Sequence, residues 1–148
     1  MTIRSRAILV LAGVALVAGA LAYLRDPPWL ERLTFGMREW REEDGVRFRW
    51  TWGHATWFVR SDAREMTLLL RSVFPSDSDR PVTVTVSADD RPITIVTLDD
   101  PSRWTRAVVL LPRRATGRRV RRIDLRVSRT VGEGNYGVQL NYLGSGSL

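Results

Sequence analysis

The sequence predicts an all-β protein, an antiparallel β-sandwich of jelly-roll type with eight or nine strands, preceded by one N-terminal transmembrane helix. Residues 7–24 carry no charge and are almost entirely apolar. From about residue 33 onward, apolar and polar residues alternate in short runs, which is the pattern of half-buried strands. Clusters of Gly, Pro, Asp and Ser separate these runs at intervals of about ten residues, as in sandwiches and barrels.

The uncharged segment 7–24 is long enough to cross a membrane, because a helix of this length spans roughly 27 Å. Arg4 and Arg6 precede it. Apolar regions of cleaved signal peptides usually run about 7 to 15 residues, which favours an uncleaved anchor. Small residues at Ala18-Gly19-Ala20 match the spacing that signal peptidase recognises, so a cleaved signal remains the alternative.

The charges around this helix predict its orientation. Arg4 and Arg6 have no acidic neighbour, so the positive-inside rule places residues 1–6 in the cytoplasm. The protein is then a single-pass protein of the inner membrane with its β domain periplasmic, or extracytoplasmic. Pro27-Pro28 ends the helix. The domain prediction is a linker at 25–33, the sandwich at 34–143 and a flexible tail at 144–148.

The strand pattern is clearest where Val82, Val84 and Val86 alternate with polar residues. A second run places Phe48, Trp50 and Trp52 on one face and Arg47, Arg49 and Thr51 on the other. A turn at Gly53-His54 then separates this strand from one in which Ala55, Trp57 and Val59 share a face and Phe58 takes the other. Further strands are expected at 67–73, 93–96, 107–111, 123–127 and 138–142.

The composition argues against an enzyme. All 23 basic residues are arginine, cysteine is absent and His54 is the one histidine. A lysine Schiff base, a thiol nucleophile and a cysteine-rich metal site are therefore excluded. Imidazole-based catalysis would depend on His54 alone. We predict a protein without catalytic residues, cofactor or metal.

Three pairs of acids are the remaining candidates for chemistry. Asp89-Asp90 and Asp99-Asp100 are paired carboxylates, as glycoside hydrolysis requires. Both pairs lie at predicted turns, where Asp commonly accepts backbone hydrogen bonds, and we favour that role. Asp77 and Asp79 are oxygen donors of the kind that bind calcium, but two carboxylates in a loop are a weak signal.

Tryptophans are the candidate sugar platforms. Trp50 and Trp57 are expected in the core, because a wholly apolar strand face usually packs inward. Rings next to turns or strand ends are the exposed candidates, and they offer flat apolar faces to a sugar. His54 is most simply a solvent-exposed turn residue. The predicted ligand-binding set is Trp40, Trp52, His54 and Trp104.

The segment 113–129 contains eight arginines and one acid, Asp124. Such density can bind phosphate groups through charge-assisted hydrogen bonds. Nucleic acid is disfavoured because the domain lies outside the cytoplasm and lacks RNA-binding signatures, so anionic headgroups or a polyprenyl phosphate are the nearer partners. The alternative is a solvated strand face that carries Arg122 and Arg126. The phosphate- or headgroup-facing candidates are the loop residues Arg113, Arg114, Arg118 and Arg119.

Several short motifs together resemble a known type of module. They are Phe48-Arg49-Trp50-Thr51-x-Gly53-x-Ala55, Pro81-Val82-Thr83-Val84, Trp104 leading into 108–112, and Tyr136-Gly137-Val138. The chain resembles the extracytoplasmic β-sandwich modules appended to bacterial polyprenyl-phosphate-dependent membrane glycosyltransferases. Such a transferase has many membrane helices and catalytic acids that have no counterpart here. The resemblance therefore implies an envelope-facing, carbohydrate-related setting without transferase activity.

These observations predict a non-catalytic, membrane-anchored accessory or glycan-binding module in bacterial cell-envelope polysaccharide or lipid-linked sugar metabolism. The alternative is a structural or protein-interaction subunit that docks on an inner-membrane complex. The expected partners are membrane lipid, an envelope glycan or lipid-linked sugar, and a polytopic membrane glycosyltransferase.

Overall fold

A computed structural model describes residues 3–72, 74, 80–113 and 117–143. The chain divides into two compact units, Met1–Leu30 and Glu31–Leu148. The candidates Asp77, Asp79 and Arg114 and the tail 144–148 lie outside the described residues.

The first unit contains one helix, α1 (Ile3–Arg25), whose 23 residues correspond to a length of about 35 Å. From Ile8 onward its apolar side chains are exposed all around the helix. The helix ends just before Pro27-Pro28, which cannot continue it. The predicted apolar helix is confirmed, and it is long and apolar enough to cross a membrane.

The second unit is an all-β domain that follows a 3₁₀ turn at Leu30–Arg32. Every pairing between its strands is antiparallel, as the sequence predicted. The eight strands of the described chain are β1 (Thr34–Glu43), β2 (Val46–Arg60), β3 (Glu65–Ser72), β4 (Val82–Ala88), β5 (Arg91–Leu98), β6 (Thr105–Leu110), β7 (Val120–Val127) and β8 (Val138–Leu143).

The strand order is β5-β4-β7-β2-β8-β3-β6, with β1 paired to β2. Strand β2 connects two halves of the sheet, because its residues 54–60 pair with β7 and its residues 49–50 pair with β8. One half is β5-β4-β7-β2 and the other is β8-β3-β6. Apart from the β1–β2 and β4–β5 hairpins, each new strand enters the opposite half, which is jelly-roll connectivity.

The core lies between these halves and follows the period of two. Val82, Val84 and Val86 point inward from β4, and Leu68 and Leu140 point inward from the other half. Each of the five is at most 1% exposed. The intervening residues therefore form the outer faces of the two halves.

Strand β2 departs from the prediction, because it runs without a break through Gly53 and His54. The predicted turn there is wrong. Phe48 and Thr51 both point inward although three positions separate them, so the alternation shifts by one residue between them. The prediction that Thr51 shares a face with Arg47 and Arg49 is therefore wrong as well. The buried Thr51 hydroxyl donates to the Val138 carbonyl at 3.1 Å and accepts from the Val138 N–H at 2.9 Å, which satisfies it in the interior.

Strand β1, which the sequence analysis did not identify, contains a bulge at Gly36. Its pairing with β2 shifts register on both sides of Met37. Gly36 has a φ of 64°, and a Cβ there would overlap the carbonyl oxygen of His54. Only glycine fits this position without strain. The bulge brings Phe35 to the outer face opposite Thr56.

Turn chemistry explains both hairpins. Asp44-Gly45 and Asp89-Asp90 have positive φ at both central positions, as a two-residue type I′ turn requires. The Asp100 carboxylate accepts hydrogen bonds from the backbone and hydroxyl of Ser102 at 2.8 and 2.5 Å. Asp89, Asp90 and Asp100 are thus turn residues, as predicted.

Candidate functional site

A groove of about 600 Å³ lies on the outer face of the β5-β4-β7-β2 half. Its volume is within the range of about 300 to 1,000 Å³ of small-molecule sites. Aromatic, hydroxyl and charged side chains line it. They are Phe35, His54, Thr56, Phe58, Thr85, Ser87, Asp90, Pro92, Arg122, Asp124 and Arg126.

Strand alternation turns these side chains outward. On β2, Ala55 and Trp57 are buried, so Thr56 and its neighbours two residues away face the groove. On β7, Ile123 and Leu125 point inward in the same way. The register pairs Thr56 with Asp124 and His54 with Arg126. Directly opposed residues on one sheet face contact each other, so the two strands form one polar cluster.

Asp124 is the centre of the cluster. Its Oδ1 accepts a hydrogen bond from the Thr56 hydroxyl at 2.7 Å and lies 3.1 Å from His54 Nε2. Its Oδ2 accepts from Arg122 Nε at 2.8 Å. The Asp124 side chain is only 12% exposed, so these partners supply the hydrogen bonds that water would otherwise make.

Two opposing effects act on the pKa of Asp124. Burial raises it, because desolvation disfavours the charged carboxylate. Hydrogen bonds from Thr56, His54 and Arg122 favour the charged form and outweigh burial, so the pKa lies below the ordinary value of 3.8. Asp124 is therefore a carboxylate at neutral pH.

Arg122 ties the β4–β5 turn to this cluster. Its guanidinium bonds both Asp124 and Asp90, and the hydrogen bond with Asp124 raises the pKa of Arg122 further. Its backbone N–H donates to the Asp89 carboxylate at 3.1 Å, and its carbonyl accepts from the Asp89 N–H at 2.9 Å. The rim of the groove is thus fixed from both sides.

Arg126 differs from Arg122 in its partners. It is exposed in the groove, and within the described ranges it forms no ion pair. Phe35, which is 59% exposed, and Phe58 add apolar surface to the same groove. The groove therefore offers a cation, hydroxyls and aromatic surface together.

The hydrogen bonds of the cluster differ from those of a catalytic relay. In a catalytic relay, the imidazole lies between a hydroxyl and a carboxylate and uses both ring nitrogens. Here Thr56 and Asp124 both face Nε2 of His54, and the Thr56 hydroxyl donates its hydrogen bond to the Asp124 carboxylate. In the part of the chain that the structure describes, no group of three His, Asp or Glu side chains is placed to hold a metal.

The predicted sugar-binding residues are dispersed. His54 lies in the groove as a strand residue. Trp40 is 38% exposed and contacts Arg47, whose guanidinium carbon is 4.8 Å from the ring centroid, and Tyr142 at 5.8 Å between centroids. Trp104 is half-buried against Phe48 and Arg71.

Trp52 lies outside the main groove, beside a second cleft of about 440 Å³. The ring is 51% exposed. The residues that line this cleft with it are Arg38, Gly53, Thr130, Glu133, Gly134 and Asn135.

Of the arginine candidates, Arg113, Arg118 and Arg119 are exposed. Arg121, in contrast, is 1% exposed and donates to the carbonyls of Pro112 and Ser61 at 2.7 and 3.0 Å. This guanidinium therefore anchors loops and is not available to a ligand.

Sequence analysis missed Asp124, Thr56 and Phe35 as site residues. A signal was present, since Arg122, Asp124 and Arg126 occupy every second position and therefore share one face of a strand. Recognising it required the partner strand, because Asp124 is separated from His54 by 70 positions.

No family model matches the chain, and no curated protein matches it. Among solved structures, it is similar to a family 35 carbohydrate binding module from an environmental isolate, with a TM-score of 0.45 and 14% identity. The match covers 75% of this chain and 88% of that one. A likeness of this size does not assign a ligand to the present chain.

Proposed function

We propose that the protein is a non-catalytic glycan-binding module, anchored by α1 in the inner membrane with its β domain outside the cytoplasm, and that the groove around Asp124 holds the glycan. The observation that carries the proposal is the composition of the groove, in which a fixed polar cluster lies beside exposed aromatic side chains.

Sugars require this combination of groups. Their hydroxyls both donate and accept hydrogen bonds, and their C–H faces pack on aromatic rings. The groove supplies hydroxyls from Thr85 and Ser87, a guanidinium from Arg126 and an aromatic surface from Phe35. Because Asp124 is held by three partners, the polar cluster is organised before any ligand binds, which lowers the entropic cost of binding.

The setting follows from the anchor. A single helix whose uncharged segment 7–24 is preceded by Arg4 and Arg6, both within the first turns of α1, favours a cytoplasmic N-terminus. The domain would then meet envelope polysaccharides and lipid-linked sugars, and a polytopic membrane glycosyltransferase is the partner that we propose.

Glycan binding is tested with the full chain in a detergent whose headgroup is not a sugar, on an array of neutral and acidic bacterial glycans. We expect binding that falls about tenfold in Arg126→Ala, because a hydrogen bond from a charged group contributes about 1.5 to 3 kcal/mol. Arg106→Ala is the matched control, since Arg106 is exposed on β6 in the other half of the sheet. Absence of binding to every glycan, or an equal loss in both variants, would contradict the proposal.

A docking subunit is the second candidate function. Val108 and Leu110 are 55% and 70% exposed on β6, the last strand of the sheet order in the described chain. Exposed apolar residues on an edge strand are typical of an interaction surface. If docking is the function, a polytopic membrane protein co-purifies with the wild type and is lost with Leu110→Glu, whereas Arg126→Ala retains it.

A further inference from the structure

Trp52 shares a strand face with the glycan groove. Every second position of β2 points outward here, at Trp52, His54, Thr56 and Phe58. Ala55 and Trp57, which lie between them, point into the core. Side chains separated by two positions lie on the same face of a strand. The outward face of β2 therefore runs from the cleft at Trp52 into the groove.

Trp52 is the one predicted platform whose faces are open. Trp40 and Trp104 already contact guanidinium groups and aromatic rings. Among the described residues, no aromatic ring or guanidinium stacks on Trp52. Half of a large apolar side chain is thus left in water, where a sugar ring can cover it.

The cleft beside Trp52 is a fixed structure. Val131 and Tyr136 close its loop through two backbone hydrogen bonds of 2.8 and 2.9 Å. Gly137 N–H donates to the Thr51 carbonyl at 2.8 Å, which attaches the loop to β2. The guanidinium carbon of Arg38 lies 4.3 Å from the centroid of the Tyr136 ring. The loop therefore holds its position relative to Trp52 without a ligand.

Two polar side chains of this loop face the cleft. Glu133 and Asn135 are exposed and line it together with Trp52. The carboxylate of Glu133 accepts hydrogen bonds, and the amide of Asn135 both donates and accepts them. These are the groups that bind sugar hydroxyls around a ring stacked on an indole.

We infer that the ligand is an extended glycan whose chain continues from the groove onto Trp52, where one sugar ring stacks on the indole. The inference rests on the proposed function of the groove. From Trp52 to Phe58 the strand covers roughly 20 Å, which exceeds the length of a single sugar ring. Binding is therefore predicted to strengthen with the number of linked sugars.

The test measures affinity against chain length for the full protein, in a detergent without a sugar headgroup. The probes are an acidic series, the oligogalacturonides from monomer to hexamer, and a neutral series, the cello-oligosaccharides over the same lengths. For the wild type we expect affinity to increase with length and then to level off. In Trp52→Ala, we expect the longest oligomers to bind about tenfold more weakly and the shortest to bind unchanged.

Matched variants separate stacking from a loss of folding. Trp52→Phe is expected to retain part of the gain with length, since it keeps an aromatic face. Trp40→Ala removes an indole that lines neither the groove nor the cleft and that already contacts Arg47 and Tyr142, and is expected to leave the length dependence unchanged. Affinity that is the same for every length, or a Trp52→Ala protein that behaves as wild type, would overturn this inference alone. If the array and both series show no binding, the proposed function fails with it.

Discussion

Asp124 illustrates how one residue acquires its properties from distant neighbours. The carboxylate lies on an outer strand face, where the sequence pattern alone indicates a solvated acid. Thr56, His54 and Arg122 surround it instead. Burial and hydrogen bonding then oppose each other in setting its pKa, and hydrogen bonding prevails. The charge is thus retained in a partly desolvated site.

This balance predicts the dependence of stability on pH. Because the folded-state pKa of Asp124 is lowered, its contribution to the free energy of unfolding is complete above the unfolded pKa of about 3.9 and is lost as the pH falls through the folded pKa. Asp124→Asn removes this contribution. We expect the wild type to lose stability more steeply than the variant below about pH 4, as measured by thermal unfolding followed by tryptophan fluorescence.

Asp62→Asn provides the comparison. The hydrogen bond from Arg60 lowers the pKa of Asp62 as well, but both side chains are about two-thirds exposed, and water screens the pair. Its pH profile is expected to stay close to that of the wild type. If Asp124→Asn also showed the same dependence of stability on pH as the wild type, the cluster would not stabilise the charged form of Asp124.

At the scale of elements, the bulge in β1 determines the shape of the groove. Regular pairing along β1 and β2 would continue the alternation of both strands without interruption. Gly36 breaks it, and its close approach to the His54 carbonyl leaves no space for a Cβ. Phe35 thereby reaches the groove while Met37 packs against the core.

Replacement of Gly36 by alanine is therefore expected to be costly. The positive φ and the overlap with the His54 carbonyl both oppose it, and we expect a loss of about 2 kcal/mol or more in the free energy of unfolding. Gly45→Ala is the control, since φ is 72° there but no atom lies within 4 Å of the added Cβ. It should cost about 1 kcal/mol. Equal losses in chemical denaturation would mean that the bulge tolerates a side chain.

At the scale of the whole molecule, the chain combines an apolar helix with a β domain that has its own buried core. The helix exposes its apolar side chains in every direction, which in water would be unfavourable. A lipid environment removes that cost, and it agrees with the anchor that we propose.

The anchor predicts how the protein behaves in cells. We expect it to remain in the membrane fraction after extraction at alkaline pH, and the intact mass to include residues 1–24. Protease added from the periplasmic side should digest the β domain. Protein released by alkali, with a mass that lacks the N-terminal segment, would establish the cleaved-signal alternative. Protection of the domain from protease would reverse the proposed orientation.

The sequence by itself determined the classes of element. Continuous apolar residues specify a helix of membrane-spanning length, and alternation specifies strands with Val84 and Val86 inside, because both patterns depend on neighbours a few positions apart. It also identified Trp52 and His54 as candidate site residues, but placed His54 in a turn that does not exist.

Only the tertiary structure decided which residues form the site. Asp124 meets Thr56 and His54 because β7 pairs with β2 in one register, and a shift of one residue would have turned Asp124 toward the core. That register depends on the packing of the whole sandwich. Such contacts join residues far apart in the chain, so no local pattern contains them.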